Sequence, residues 1–206
     1  MLFNIKNLEY SFKKQKILSK KISFKLNRSN HLLILGPSGC GKTTLLNLMA
    51  GLLRASNGLI EFEGYDYSLL SNSEIDKTRA NNFGFIFQKL HLINYLNVEQ
   101  NIILAKNKKD SQNINSLIDQ LDLSKIKKQM VRNLSFGEAQ RVAIARALIN
   151  NPKVIFADEP TSALDDLNTK KVMNLLFSNA IKNKSTLIVC THDKRIKNKF
   201  SNILEI

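Results

Sequence analysis

Leu32-Leu33-Ile34-Leu35-Gly36-Pro37-Ser38-Gly39-Cys40-Gly41-Lys42-Thr43-Thr44-Leu45-Leu46-Asn47-Leu48-Met49 decides the fold, because it joins two elements through the pattern G-x-x-x-x-G-K-[ST]. The apolar residues before Gly36 read as a buried strand, and the run from Thr44 reads as the helix leaving the loop. Glycines at 36, 39 and 41 let the backbone curl so that successive N–H groups face one anion, and the helix adds its positive N-terminal end. Lys42 brings a charge on a flexible stem. Thr43 brings a hydroxyl that can sit on a Mg2+ bridging two phosphate oxygens. The pattern predicts a nucleoside triphosphate held through its phosphates by Gly36, Pro37, Ser38, Gly39, Cys40, Gly41, Lys42, Thr43 and Thr44.

Upstream, Phe3-Asn4-Ile5-Lys6 and Ile22-Ser23-Phe24-Lys25-Leu26 alternate in polarity, as half-exposed antiparallel strands do. Downstream, a turn over 54–58 closes the phosphate-loop helix. Leu59-Ile60-Glu61-Phe62 resumes strand, and Ser71-Asn72-Ser73-Glu74 has the form of a capping box that opens a helix. Phe83-Gly84-Phe85-Ile86-Phe87 is a further buried strand, ending at Gln88. From about Lys89 to Asn133 the pattern is polar and helical, which predicts a helical subdomain, about 89–140, inserted into a sheet domain. Buried strands return at Val154-Ile155-Phe156-Ala157 and Ser185-Thr186-Leu187-Ile188-Val189-Cys190, separated by a helix around 168–181. The expected fold is α/β: a P-loop NTPase core with a mostly parallel sheet, an N-terminal antiparallel β-subdomain and an inserted α-helical subdomain.

Val154-Ile155-Phe156-Ala157-Asp158-Glu159 ends a strand in two carboxylates with separate tasks. Asp158 is placed for the metal, and Glu159 for accepting a proton from water that attacks the γ-phosphate. Asp158, Glu159 and His192 all fall just past strand carboxyl ends, the edge where open α/β sheets bind ligands.

With these residues in hand, the chain resembles the ATP-binding subunits of ABC transporters over almost its whole length, as a single domain of 206 residues. Leu134-Ser135-Phe136-Gly137-Glu138 stands in the place of the LSGGQ signature and runs on into Ala139-Gln140-Arg141-Val142-Ala143-Ile144-Ala145-Arg146. Gln88 matches the Q-loop glutamine, Ser162-Ala163-Leu164-Asp165 the D-loop, and His192 in Thr191-His192-Asp193 the switch histidine. The resemblance implies ATP and Mg2+ as cofactors, with Thr43, Gln88 and Asp158 at the metal and Glu159, His192 and Gln88 in hydrolysis. It also brings Ser135, Gly137 and Asp165 to nucleotide. It further implies that two copies, as a homodimer or an equivalent ATPase pair, pack head to tail with each ATP between the P-loop of one and the signature of the other. Phe12 aligns best with the aromatic residue that stacks on adenine, with Tyr10 on the same strand as the other candidate. Phe136 replaces a glycine of the signature. Its side chain either crowds the nucleotide or turns toward the subunit contact.

The family further implies an integral membrane permease as partner, docked on the helical subdomain beside Phe87-Gln88-Lys89-Leu90-His91-Leu92-Ile93-Asn94-Tyr95-Leu96. The stretch Arg79 to Asn101 looks most like the lipoprotein-releasing, macrolide-exporting and cell-division group. A solute-importer ATPase, and a non-transport ATPase regulating a membrane complex, stand beside that reading. No stretch approaches the roughly 20 apolar residues of a membrane span, and the first residues lack the order of a signal peptide. The expected location is cytoplasmic, peripheral on the inner face of the cell membrane. Cys40 and Cys190 read as reduced thiols. The net charge of +14 (31 Lys+Arg, 17 Asp+Glu) comes with lysines scattered in pairs, such as Lys13-Lys14, Lys108-Lys109 and Lys127-Lys128. That is a solvated surface, and no specific nucleic-acid partner is expected.

Overall fold

In the computed structural model the structure describes residues 1–13, 15–18, 20–107, 113–162 and 164–206, with backbone only at 15 and 16. Lys14, Lys108, Lys109 and Ala163 lie outside the described residues. The chain order is β1 (Phe3–Glu9), β2 (Ser11–Phe12), β3 (Gln15–Lys16), β4 (Ile22–Leu26), β5 (Leu32–Leu35), α1 (Lys42–Met49), β6 (Asn57–Phe62), β7 (Tyr65–Asp66), α2 (Asn72–Asn82), β8 (Phe83–Ile86) and α3 (Val98–Ile103). It continues with α4 (Ile114–Gln120), α5 (Phe136–Leu148), β9 (Val154–Asp158), α6 (Asp166–Lys182), β10 (Thr186–Thr191) and β11 (Asn202–Glu205).

A five-stranded sheet has the order β11-β5-β10-β9-β8, and a four-stranded sheet the order β4-β1-β6-β7. Every pairing in the first is parallel, and every pairing in the second is antiparallel. The expected P-loop NTPase architecture is therefore present. Because strand side chains alternate, the parallel strands supply two cores at once. Leu33, Leu35, Ile155, Ala157, Leu187 and Val189 face α5, α6 and the helical subdomain. Their neighbours Leu32, Ile34, Val154, Phe156, Ile188 and Cys190 face α1 and the antiparallel sheet.

Three features differ from the expectation. β1 is not half-exposed, since Phe3, Asn4 and Ile5 are all buried. The reason is its central place: Phe3 packs on Phe62, Phe83 and Phe156, with ring centroids 5.1 to 6.3 Å apart, which joins the two sheets. Truncating a buried Phe of this kind costs about 3–5 kcal/mol. β8 stops at Ile86, and Phe87 leaves the sheet to stack on Phe85 with centroids 5.5 Å apart. β11 is a strand that the polarity pattern does not announce. It pairs with β5, Ile203 opposite Leu33.

The helical region contains short helices whose apolar residues Val98, Ile102, Leu117, Leu121 and Val131 join the α5–α6 core. Within it, residues 87–96 form a loop pinned by Asn101, a fully buried side chain that accepts from Ile93 N and donates to Ile93 O, Leu96 O and Asn97 O. The capping boxes of α2 and α5 form as expected, Ser71 with Glu74 and Ser135 with Glu138. α5 lies tightly on β8, where Gly84 meets the Ala147 carbonyl so closely that no Cβ fits. Arg146 of α5 donates to Leu90 O and His91 O, both at 2.6 Å.

Candidate functional site

Register gathers the site. In the parallel sheet Leu35 lies opposite Thr191, and Cys190 opposite Asp158, so the carboxyl ends of β5, β10 and β9 finish side by side. From β5 the chain enters the loop 36–41. Gly39 and Gly41 have φ of 81° and 101°, a region that costs a side-chain-bearing residue strain. A Cβ on Gly41 would also press Leu18 Cδ2 at 2.9 Å. Gly41 is the N-cap of α1, and among the described residues no side chain caps that helix. Its first-turn N–H groups are thus free to take an anion.

Lys42 is buried, and its ammonium donates to Gly36 O at 2.9 Å and Pro37 O at 2.8 Å, with Glu159 Oε1 3.7 Å away. Thr43 donates its hydroxyl to Asp158, 2.9 and 3.1 Å from the two carboxylate oxygens. Burial pushes the Asp158 carboxyl up, and the Thr43 hydroxyl opposes that shift. A hydroxyl beside a carboxylate is a hard-oxygen donor set of the kind Mg2+ takes together with phosphate oxygens. These residues fit a magnesium nucleotide.

Glu159 follows β9 with φ 48°, a left-handed conformation that turns its side chain back across the end of β10. There Thr191 Oγ1 lies 2.7 Å from Oε2, and His192 Nδ1 lies 2.9 Å from Oε1. Behind them stands a network that motif reading does not find. Asp193 accepts from the Thr161 hydroxyl and from the Arg195 guanidinium, which also reaches Leu164 O and Asp166. The Arg195 hydrogen bonds hold the Asp193 carboxyl below its ordinary range. Cys190 is fully buried, which pushes its thiol up, while Cys40 in the loop is partly exposed.

The remaining predicted residues stand on other elements of the fold. Gln88 is exposed, two residues beyond β8. Phe12 is 55% exposed on the β2–β3 hairpin with the Lys13 ammonium 5.6 Å from its ring, whereas Tyr10 packs against the core. Ser135 and Gly137 open α5, and Phe136 between them is exposed. Asp165 is the N-cap of α6 and accepts from Asn168 N at 2.8 Å. Gln140, buried in α5, donates to Pro160 O at 2.7 Å and so ties the signature helix to the turn after Glu159.

Fold and loop together define a P-loop nucleotide-binding protein. The comparisons narrow the class: the ABC transporter family profile matches residues 19–162, and the chain belongs to that family. It is 39% identical to the lipoprotein-releasing system ATP-binding protein LolD of Buchnera aphidicola subsp. Acyrthosiphon pisum, over 91% of this chain and 85% of the relative. It is 37% identical to the putative hemin import ATP-binding protein HrtA of Staphylococcus haemolyticus, over 91% and 87%. Among solved structures, the dimeric post-hydrolysis state of the ATP-binding cassette MJ0796 bound to ADP and Pi superposes with a TM-score of 0.84 at 30% identity, covering 100% of this chain and 94% of that one. Family membership implies an ATPase subunit of a transporter complex.

Proposed function

We propose that residues 1–206 act as one ATPase domain that drives a membrane permease of the lipoprotein-release type, working as a homodimer around two MgATP. The convergence of Thr43, Asp158, Glu159 and His192 at three adjacent strand ends carries this reading. The phosphates lie on the loop N–H groups, on Lys42 and on the first turn of α1 with Thr44. Phe12 is the exposed ring available to adenine, as stacking requires. Thr43 and Asp158, with Gln88, would hold Mg2+, which would supply positive charge to offset that of the phosphates. Glu159 accepts a proton from water as the water oxygen bonds to the γ-phosphorus and the bond to the ADP oxygen breaks. His192 serves the γ-phosphate, and Ser135, Gly137 and Asp165 complete the site of the opposite copy.

Replacing Glu159 by Gln tests the chemistry. Turnover should fall on the order of 1,000-fold while MgATP binding persists and a nucleotide-dependent dimer accumulates in size-exclusion chromatography. Normal turnover would reject the assignment.

The permease belongs in a groove of about 700 Å3 beside the 87–96 loop, with Leu52, Phe85, Phe87, His91, Lys106 and Arg146 in its wall. No helix among the described residues is long and apolar enough to cross a membrane. Attachment to the cytoplasmic side of the membrane would come through this contact. Cysteines placed at His91 and Tyr95 should crosslink to a co-expressed permease. The HrtA likeness supports an importer as the second reading, and the substrate class of the permease that co-purifies separates the two.

A further inference from the structure

The end of β10 grips Glu159 through three consecutive residues. The Glu159 backbone N–H donates to Cys190 O at 2.8 Å. Thr191 meets Oε2, while the His192 N–H and Nδ1 meet Oε1 at 3.2 and 2.9 Å. These contacts differ in permanence. The His192 side chain is 54% exposed, and the proposed mechanism calls its ring to the γ-phosphate. Thr191 is fully buried inside the strand and has nowhere else to go.

The direction of its hydroxyl follows from its other neighbour. The Asp193 backbone N–H, which can only donate, lies 3.0 Å from Thr191 Oγ1. The single hydroxyl proton therefore goes to Glu159 Oε2. Asp193 cannot drift, because Thr161 and Arg195 hold its carboxylate. The other oxygen, Oε1, which His192 also meets, lies 3.7 Å from the Lys42 ammonium and so faces the phosphate loop.

We propose that Thr191 is a positioning residue for hydrolysis, locking the Glu159 carboxylate through Oε2 so that Oε1 alone is presented to water. The role rests on Glu159 as the proton acceptor. A glutamate has three side-chain torsions to order, and misplacing a reacting group by about 1 Å costs on the order of 100-fold in rate. Valine matches threonine in shape and lacks only the proton donor and acceptor, whereas serine keeps both.

The test compares Thr191→Val with Thr191→Ser in the full chain, alone and combined with Glu159→Gln. Thr191→Val should lower kcat by roughly 10- to 100-fold, with KM for ATP and equilibrium ADP binding changed by less than about 2-fold. Thr191→Ser should return kcat to within about 3-fold of the parent. In the Glu159→Gln background, Thr191→Val should change the residual turnover by less than about 3-fold, because the group it positions is gone. Circular dichroism confirms folding, and Thr191→Ala is read in the same way should the valine protein fail to fold.

A folded Thr191→Val protein with parental kcat, beside an inactive Glu159→Gln protein, overturns the positioning role alone. Equal losses in Ser and Val overturn it too. A Glu159→Gln protein with parental turnover rejects the acceptor assignment instead.

Discussion

Two helices begin at the predicted nucleotide contacts, and they begin in opposite ways. At α1 the N-cap is Gly41, which carries no side chain, and the first turn holds no acidic residue. At α5 the N-cap is Ser135, whose hydroxyl accepts from Glu138 N at 3.3 Å while Glu138 Oε2 accepts from both Ser135 N and Ser135 Oγ, at 2.8 and 2.6 Å. The Ser135 hydroxyl draws the Glu138 carboxyl below its ordinary range, so α5 already carries an anion at its positive end. An uncapped helix end depends on a ligand for its hydrogen bonds, whereas a self-capped one is stable alone and must exchange partners to take phosphate. The first suits binding, and the second suits a contact made only when another molecule arrives.

Removing Lys42 breaks the comparison at its strongest point. A charge-assisted contact contributes about 1.5–3 kcal/mol, so Lys42→Ala should weaken ATP binding to the isolated chain by roughly 10- to 150-fold. Unchanged affinity in a nucleotide titration would remove the loop from the binding role. Ser135→Ala should leave that affinity unaltered and lower turnover by roughly 10-fold. It should also cost about 1 kcal/mol of stability through the lost cap, a fall in Tm of roughly 2–4 °C for a domain of this size. Weakened binding at the level of the single chain would erase the distinction between the two helix ends. The smallest effect is expected from Glu138→Gln, since glutamine keeps the box and removes the anion. Stability should fall by about 0.3–1 kcal/mol and turnover should stay within about 3-fold of the parent, on the high side. A 10-fold loss would mean that the carboxylate does more than cap.

Local chemistry made much of this legible in the chain. Each capping box places both partners within one turn, and the phosphate loop is written as a contiguous run that ends in Lys42 and Thr43. The strands β5, β8, β9 and β10 are apolar runs, β5 ending at Gly36 and β9 in two carboxylates, so their burial is visible before their partners are known. What escapes reading depends on distant pairing. Asn202–Glu205 becomes a strand only because β5 offers an open edge. The burial of Phe3 is set by Phe83 and Phe156 from the other sheet. Thr191 and Asp193 stand next to His192 in the chain, yet their partners Glu159 and Thr161 lie beyond another strand, so only the folded arrangement reveals the network.

The close seating of α5 on β8 has a mechanical meaning. Ser135 and Arg146 sit near opposite ends of one uninterrupted helix, roughly 16 Å apart at 1.5 Å per residue. Gly84 brings backbone against backbone, and the Arg146 guanidinium holds the carbonyls of Leu90 and His91, so the joint is tied at two places. The helix is a rod with the end proposed to meet nucleotide at one tip and the groove wall tied to the other. Any tilt imposed at Ser135 must reappear at His91 with little slack, and the stroke is set by the length of the rod.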